Sequence, residues 1–285
     1  MRHALLTTAA LFLASCASDT LVVETSEDGA PTPLPAPEEG VTLTTFDCGT
    51  VLVGDLSLFA DDGSYDGQSD TYANTCFVVR HPDGRSLLWD TGLPSALVEN
   101  GPMTEGPFTV AMDVRLADSL AAAGVSPTFV SISHNHFDHT GQPEAAAGAT
   151  WIVHEDELTF MKANPEADRG GAWGGFMALD TVTFTGGYDV FGDGSARILD
   201  TPGHTPGHTS LVVNLRESGP VLLTGDLYHR EESREGRKVP SFNADAEETR
   251  ASMARFEDLA EGLGARVIIQ HEPDDVGGLI GDTLR

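Results

Sequence analysis

The sequence predicts an α/β protein, an αββα sandwich in which two β-sheets pack face to face and helices cover their outer faces. Three observations carry this expectation. Short apolar runs recur between Gly, Pro and Asp: VTLTTFD, NTCFVV, SLLWD, TFVSIS, TWIVH, ARILD, SLVVN, VLLTGD and RVIIQ. Each is brief, rich in β-branched or aliphatic residues and bounded by turn formers, which favours strands over helices. Two longer stretches have helical spacing instead: Met112 to Ala123, closed by Gly124, and Ala246 to Leu263. Strands, a helix, more strands and a second helix follow one another, an order that suits two sheets each backed by helices.

The elements differ in character along the chain. Residues 1–16, MRHALLTTAALFLASC, open with the basic Arg2 and His3 and continue in an apolar run. That run, about ten residues, is half of what a membrane-spanning helix needs, so residues 1–15 read as an export signal. The ending LASC resembles the lipobox of bacterial lipoproteins. The resemblance implies cleavage before Cys16, lipidation of that cysteine and a cell-envelope location. With Ala17 rather than Asp next, it implies the outer membrane in a Gram-negative cell. Residues 16–40 are rich in Pro, acidic and small residues and predict an extended tether. A single catalytic domain is expected over 41–285. Within it Cys48 and Cys76 lie in strand-like runs, where a disulfide and two buried thiols are both open. The stretch 155–188, which holds Phe160, Trp173, Phe176 and Met177, interrupts the strand rhythm. It reads either as a surface helix with a Gly-rich turn or as an insertion that walls an apolar pocket.

Charge removes several classes of partner. With 16 basic and 44 acidic residues the formal net charge is −28. Binding to nucleic acid depends on clustered Lys and Arg, and so does a polybasic membrane patch. Neither fits this chain, which leaves a lipid anchor as its expected link to a membrane. The acidic surface is read as solvated and solubilising.

Chemistry concentrates at HNHFDH. His134, His136, Asp138 and His139 follow the strand-like TFVSIS, and the whole chain has only ten histidines. Imidazoles one residue apart can face one cation, with Asp138 and His139 directed to a second. Imidazole with carboxylate suits Zn, and also Fe, Mn or Co. Further candidates sit at the ends of other predicted strands: His204 in TPGHTPGH, Asp226 after VLLTG and His271 after RVIIQ.

In this order and spacing, HNHFDH, TPGHTPGH, LLTGD and IIQH resemble the metallo-β-lactamase superfamily, and the resemblance runs from Val41 to the C-terminus. It implies the αββα fold and a pair of divalent metal ions, most readily zinc. His134, His136 and His204 would hold one ion, Asp138, His139 and His271 the other, and Asp226 would bridge. His208 is implied to be structural, and Asp90, in LLWDTG, to orient ligands rather than bind metal. True β-lactamases with this motif generally lack the bridging aspartate, flavodiiron reductases have glutamate where this chain has His136, and RNA-processing members need a basic track. Glyoxalase II types carry a basic C-terminal domain, and here the chain ends soon after His271.

The segments FDCG, GDLSLF, GDLYHR and VPSFNADAEETRASM are similar to N-acyl homoserine lactone lactonases. That implies opening of a lactone ring by a hydroxide shared between two metals, with Asp138 or Asp226 moving the proton. Some of these enzymes place a tyrosine three residues after the bridging aspartate to polarise the carbonyl. Here Tyr228 is two residues on and His229 three, and either is a candidate. The acyl chain is expected against Leu58 and Phe59 and against Phe160, Trp173 and Phe176. A lactone is then the small-molecule partner and a homodimer a possible assembly. The alternatives are another ester, thioester or phosphodiester hydrolase of the same fold and, more remotely, a non-catalytic metal-binding surface lipoprotein.

Overall fold

The computed structural model describes residues 40–285, so the expected signal peptide, the lipidation site Cys16 and nearly all of the tether lie outside the described residues. The strands in chain order are β1 (Thr42–Val53), β2 (Asp70–Arg80), β3 (Ser86–Trp89), β4 (Met103–Glu105), β5 (Phe108–Ala111), β6 (Phe129–Ser131) and β7 (Thr150–His154). They continue with β8 (Thr181–Phe184), β9 (Tyr188–Asp189), β10 (Ala196–Asp200), β11 (Thr209–Leu215), β12 (Gly219–Leu223), β13 (Arg266–Ile268) and β14 (Thr283–Leu284). The helices are α1 (Leu97–Asn100), α2 (Leu116–Ala122), α3 (Phe137–Thr140), α4 (Glu155–Ala163), α5 (Trp173–Met177), α6 (Glu231–Gly236), α7 (Ala246–Leu263) and α8 (Pro273–Val276).

One sheet runs β4-β5-β1-β2-β3-β6-β7-β8, with β14 on β1, and the other runs β13-β12-β11-β10-β9. The nine apolar runs read from the sequence all contain strands of these sheets. Successive strand residues face opposite sides, so each sheet has two apolar faces to bury. Phe77, Val79, Leu87 and Trp89 meet Ile198, Leu211, Val213, Val221 and Leu223 between the sheets. Val78, Leu88 and Val130, on the other face of the first sheet, pack under Leu116 and Leu120 of α2 and Leu158 and Met161 of α4. Val212 and Leu222 do the same under Met253, Phe256 and Ala260 of α7. Each Val, Leu, Ile, Phe or Met among them contributes roughly 1.5–3 kcal/mol on burial. The result is the expected αββα sandwich.

α7 has the bounds its sequence predicts. Asp245 caps it, its side chain accepting from Glu248 N at 2.9 Å, and Gly264 closes it at φ 59°. The other predicted helix is a correction. It starts at Leu116, not Met112, and is capped from outside by Gln142, whose Oε1 accepts from Leu116 N at 2.8 Å. Met112 stands four residues before Leu116 and mimics a helical face, but it follows β5 and packs with Val51, Leu93 and Val110.

Two open alternatives resolve. Cys48 and Cys76, on adjacent strands β1 and β2, form a disulfide. Gly92, at φ 66°, lies so close that a Cβ there would meet Cys48 Cβ at 2.5 Å. The stretch 155–188 is part of the sandwich: β8 extends the first sheet parallel to β7, and α4 and α5 cover its outer face. Trp173 and Phe176 are buried beside Trp151 and Val153, and Phe160 packs partly buried on the same cluster. Trp173 and Phe176, buried in covering that sheet, have no open face for a ligand, which corrects their assignment to the acyl pocket; Phe160 is half-buried in the same cluster.

Candidate active site

The candidate ligands converge because their loops leave the same end of both sheets. His134 and His136 follow β6, and His136 is the N-cap of the short helix α3, which carries Asp138 and His139. His204 lies in the β10–β11 connection, Asp226 in the turn after β12, and His271 just past β13. Two groups result: His134, His136, His204 and Asp226, with ligand atoms within 4.8 Å of one another, and Asp138, His139 and His271, similarly close.

Asp226 joins the groups. Its Oδ1 lies 3.1 Å from His139 Nε2 and 3.0 Å from His271 Nε2. Its Oδ2 lies 3.3 Å from His204 Nε2 and 3.5 Å from His134 Nε2. Asp138 Oδ2 completes the second group at 3.8 Å from His139 Nε2 and 3.7 Å from His271 Nε2.

Hydrogen bonds outside the cluster decide which atoms face inward. His139 donates from Nδ1 to Asp90 Oδ2 at 2.9 Å, His271 from Nδ1 to Ala73 O at 2.7 Å, and His204 from Nδ1 to Asn243 Oδ1 at 2.8 Å. In the neutral ring each Nε2 then presents a lone pair to the centre. Two such inward contacts pair nitrogen with nitrogen: His139 Nε2 with His271 Nε2, and His204 Nε2 with His136 Nδ1, both at 3.1 Å. His134 Nε2 and Asp226 Oδ1 are buried with no hydrogen-bond partner. Burial also holds His134 and His136 well below the ordinary imidazole range, in the neutral form that ligates. Converging lone pairs and orphaned acceptors around a bridging carboxylate fit two divalent cations.

Residues behind the ligands set their orientation. Asp90, buried at φ 60° in a conformation rare for residues other than glycine, accepts from Ser133 N at 2.6 Å, from Gln270 Nε2 at 2.9 Å and from His139. Gln270 in turn accepts from Trp89 Nε1 at 2.9 Å and Gly225 N at 3.0 Å. His208 donates from Nδ1 to Thr201 O and accepts from Asp226 N at Nε2, both at 2.9 Å. Burial holds its imidazole down at about 3, so it positions the bridging aspartate as a neutral ring. Trp173 Nε1 donates to Asn135 O at 2.9 Å, supporting the histidine loop from outside. Sequence reading missed Gln270, Asn243 and Ser133. All are ordinary polar residues, and only adjacency to a motif marked them.

The two candidate donors part company. His229 is buried in the site: its Nε2 donates to Asp226 Oδ2 at 3.0 Å, and its ring lies parallel to that of His271, centroids 5.7 Å apart. Tyr228 is a correction. It packs with Phe256 and Met253 under α7, and burial pushes its phenol above the ordinary range. Phe59 stands edge-on to His229 at 4.9 Å and to Phe242 at 5.2 Å. Phe242, which sequence reading did not single out, is 41% exposed and lies 5.8 Å from the ring of His204. Leu58, partly buried, ties the two loops through its carbonyl, which accepts from Ser241 N at 2.8 Å. Phe137, between His136 and Asp138, forms one wall of an apolar cleft with Pro94, Met103, Phe108 and Val110. Arg169 and Glu105, 3.9 Å apart, stand at the same cleft.

The chain is similar to known proteins in sequence and in fold. The profile of the metallo-beta-lactamase superfamily matches residues 69–271. The N-acyl homoserine lactonase AttM of Rhizobium radiobacter is 35% identical over 218 residues, covering 70% of this chain and 81% of that protein. An N-acyl homoserine lactonase of a Bacillus species is 30% identical over 213 residues, covering 71% and 82%. Among solved structures, an N-acyl homoserine lactone hydrolase with the product N-hexanoyl-L-homoserine at its catalytic metal center superposes with a TM-score of 0.72. It is 25% identical, with 83% of this chain and 95% of that one covered. The dizinc quorum-quenching lactonase AidC, 18% identical with a TM-score of 0.62 over 85% and 90%, shares the fold. The sandwich, the ligand loops at its edge and a profile spanning most of the chain agree: this chain belongs to the metallo-beta-lactamase superfamily.

Proposed function

We propose that this protein is an N-acyl homoserine lactone lactonase that uses two zinc ions and works outside the cytoplasm, lipid-anchored in the cell envelope through Cys16. The observation that carries the reading is the division of Asp226, one oxygen facing each histidine group, in a chain whose relatives at 30–35% identity are lactonases. When bound, two such cations supply Lewis-acid activation of water and of an ester carbonyl. The protein's own residues do the rest. Asp226 and Asp138 are acceptors that can receive the proton of the attacking water and return it to the ring oxygen as the C–O bond breaks, giving the open hydroxy acid. His229 stands beside Asp226, and its single N–H, now on Asp226 Oδ2, would turn to serve a carbonyl oxygen there. Phe59 and Phe242 exclude water over the site, and the cleft of Phe137, Phe108 and Val110 offers an apolar bed for the acyl chain. The Cys48–Cys76 disulfide suits an oxidising compartment, which supports export.

One observation favours a second reading, an ester or phosphodiester hydrolase of the same fold. His229 occupies the place where the resemblance sets a carbonyl-polarising tyrosine. A panel of lactones of graded acyl length, aryl esters and bis-aryl phosphates, assayed by acid release or chromophore with metal analysis alongside, separates the two. Lactone opening several-fold faster than the others is expected. Absence of lactone turnover by a fully metallated sample overturns the proposal.

A further inference from the structure

We infer that Glu157 is a positioning residue of the metal centre, its buried carboxylate joining the loop of His134 and His136 to the loop of His204. The inference rests on the two-metal reading above. Glu157 lies in the first turn of α4 and is 1% exposed. Its Oε1 accepts from Asn135 N at 2.6 Å and from the Asn135 side-chain amide, the residue between the two histidines. Its Oε2 accepts from Thr205 Oγ1 at 2.8 Å and Gly207 N at 2.9 Å, in the turn that begins at His204. One carboxylate therefore receives four donors from two ligand loops, two on each oxygen.

The chemistry of those partners selects the side chain. An ionised carboxylate is acceptor-only, so it can satisfy all four at once. A glutamine of the same shape turns two N–H donors toward one of the loops and leaves it opposed. Contact is close: a Cβ at Gly207 would meet Glu157 N at 2.3 Å, so the His204 loop reaches the start of α4 only because Gly stands there. Burial pushes the carboxyl up from its ordinary range, and the four donors together with the N-terminal turn of α4 oppose that by favouring the negative charge. The Asp138, His139 and His271 group has no bond to Glu157 and is held by Asp90, Ala73 and Asn74 instead. Loss of the carboxylate should therefore loosen one group and spare the other.

The test compares wild type, Glu157→Gln and Thr205→Ala as full folded chains. Zinc affinity and stoichiometry are read by competition with a chromophoric chelator, cobalt substitution reads the ligand field, and melting of the metal-free protein monitors the scaffold. Wild type should bind two ions. Glu157→Gln should weaken one of them about 10–100-fold, the size of effect seen when groups orienting metal ligands are lost, with the other changed little. Its cobalt spectrum should change for that ion, and its metal-free melting should fall, since buried donors lose their acceptor, without loss of the second ion. Thr205→Ala, which removes one donor and leaves the helix intact, should act in the same direction to a smaller extent, and it keeps the test open if Glu157→Gln does not fold. Two ions bound with wild-type affinity in both variants overturn the inference. So does an equal loss of both ions that tracks a fall in metal-free melting, which marks a merely structural role. Failure of wild type itself to bind two ions overturns the two-metal reading, and is distinguishable from either.

Discussion

The two ligand groups share Asp226 but are held from behind in different ways. His139 and His271 are fixed by Asp90 at the end of β3 and by the backbone carbonyl of Ala73 in β2, both continuous with the first sheet. His134, His136 and His204 sit on loops whose outer partners are side chains brought in from elsewhere: Asn243 before α7, Trp173 on α5 and Glu157 on α4. One half of the centre inherits its geometry from strand ends. The other needs groups distant in sequence to close around it, so perturbations should act on the halves separately unless they touch Asp226 or Asp90 Oδ1, which also accepts from Ser133 N beside His134.

The largest effect tests the first of these exceptions. Asp226→Ala removes the shared ligand and should abolish stable binding of both metals and lower lactone turnover by about 10³-fold or more, since the metals supply several kcal/mol of the catalysis. Metal content per chain and turnover read it together. Retention of one fully occupied group would show that the two do not depend on a bridge. Next comes Asp90→Asn. Asparagine tolerates the positive φ, so the backbone should stay, while His139 loses its carboxylate partner. Affinity for one ion should fall about 10–100-fold. A titration in which Asp90→Asn and Glu157→Gln weaken different ions sharpens the comparison, and one in which they weaken the same ion breaks it.

The legibility of the molecule follows the same division. The convergence of the candidate ligands could be read because histidine and aspartate at the ends of apolar runs are local signals, and α7 could be read because its cap, face and closing Gly264 are consecutive. Gln270, Asn243 and Phe242 could not, since their roles arise from loops that meet only in the fold. Trp173 and Phe176 misled for a related reason: an aromatic stretch rich in Gly looks like a pocket wall until β8 is seen to extend the sheet beneath it. Met112 misled through spacing alone.

A smaller effect concerns His229, which belongs to the shared side of the centre through Asp226 Oδ2. His229→Ala should lower kcat about 10–100-fold with both metals still bound, as expected for loss of one donor near the reacting carbonyl. His229→Tyr should recover part of it, because a phenol also donates. Metal loss in His229→Ala would instead make the imidazole a ligand, and would move it from substrate chemistry to the first group.

The smallest effect is expected one residue earlier. The turn Gly225–Leu227 sends residues 228 and 229 to opposite sides of the second sheet's edge, one under α7 and one into the centre. Tyr228→Phe keeps the ring against Phe256 and removes a buried hydroxyl. Turnover should therefore stay within about twofold and stability within about 1 kcal/mol of wild type, measured by lactone kinetics and denaturant unfolding. The same variant in the His229→Ala background should add nothing further to the loss of rate. A large kinetic effect with unchanged stability would put the phenol in contact with substrate, which its packing under α7 does not allow unless the turn itself rearranges when the metals bind.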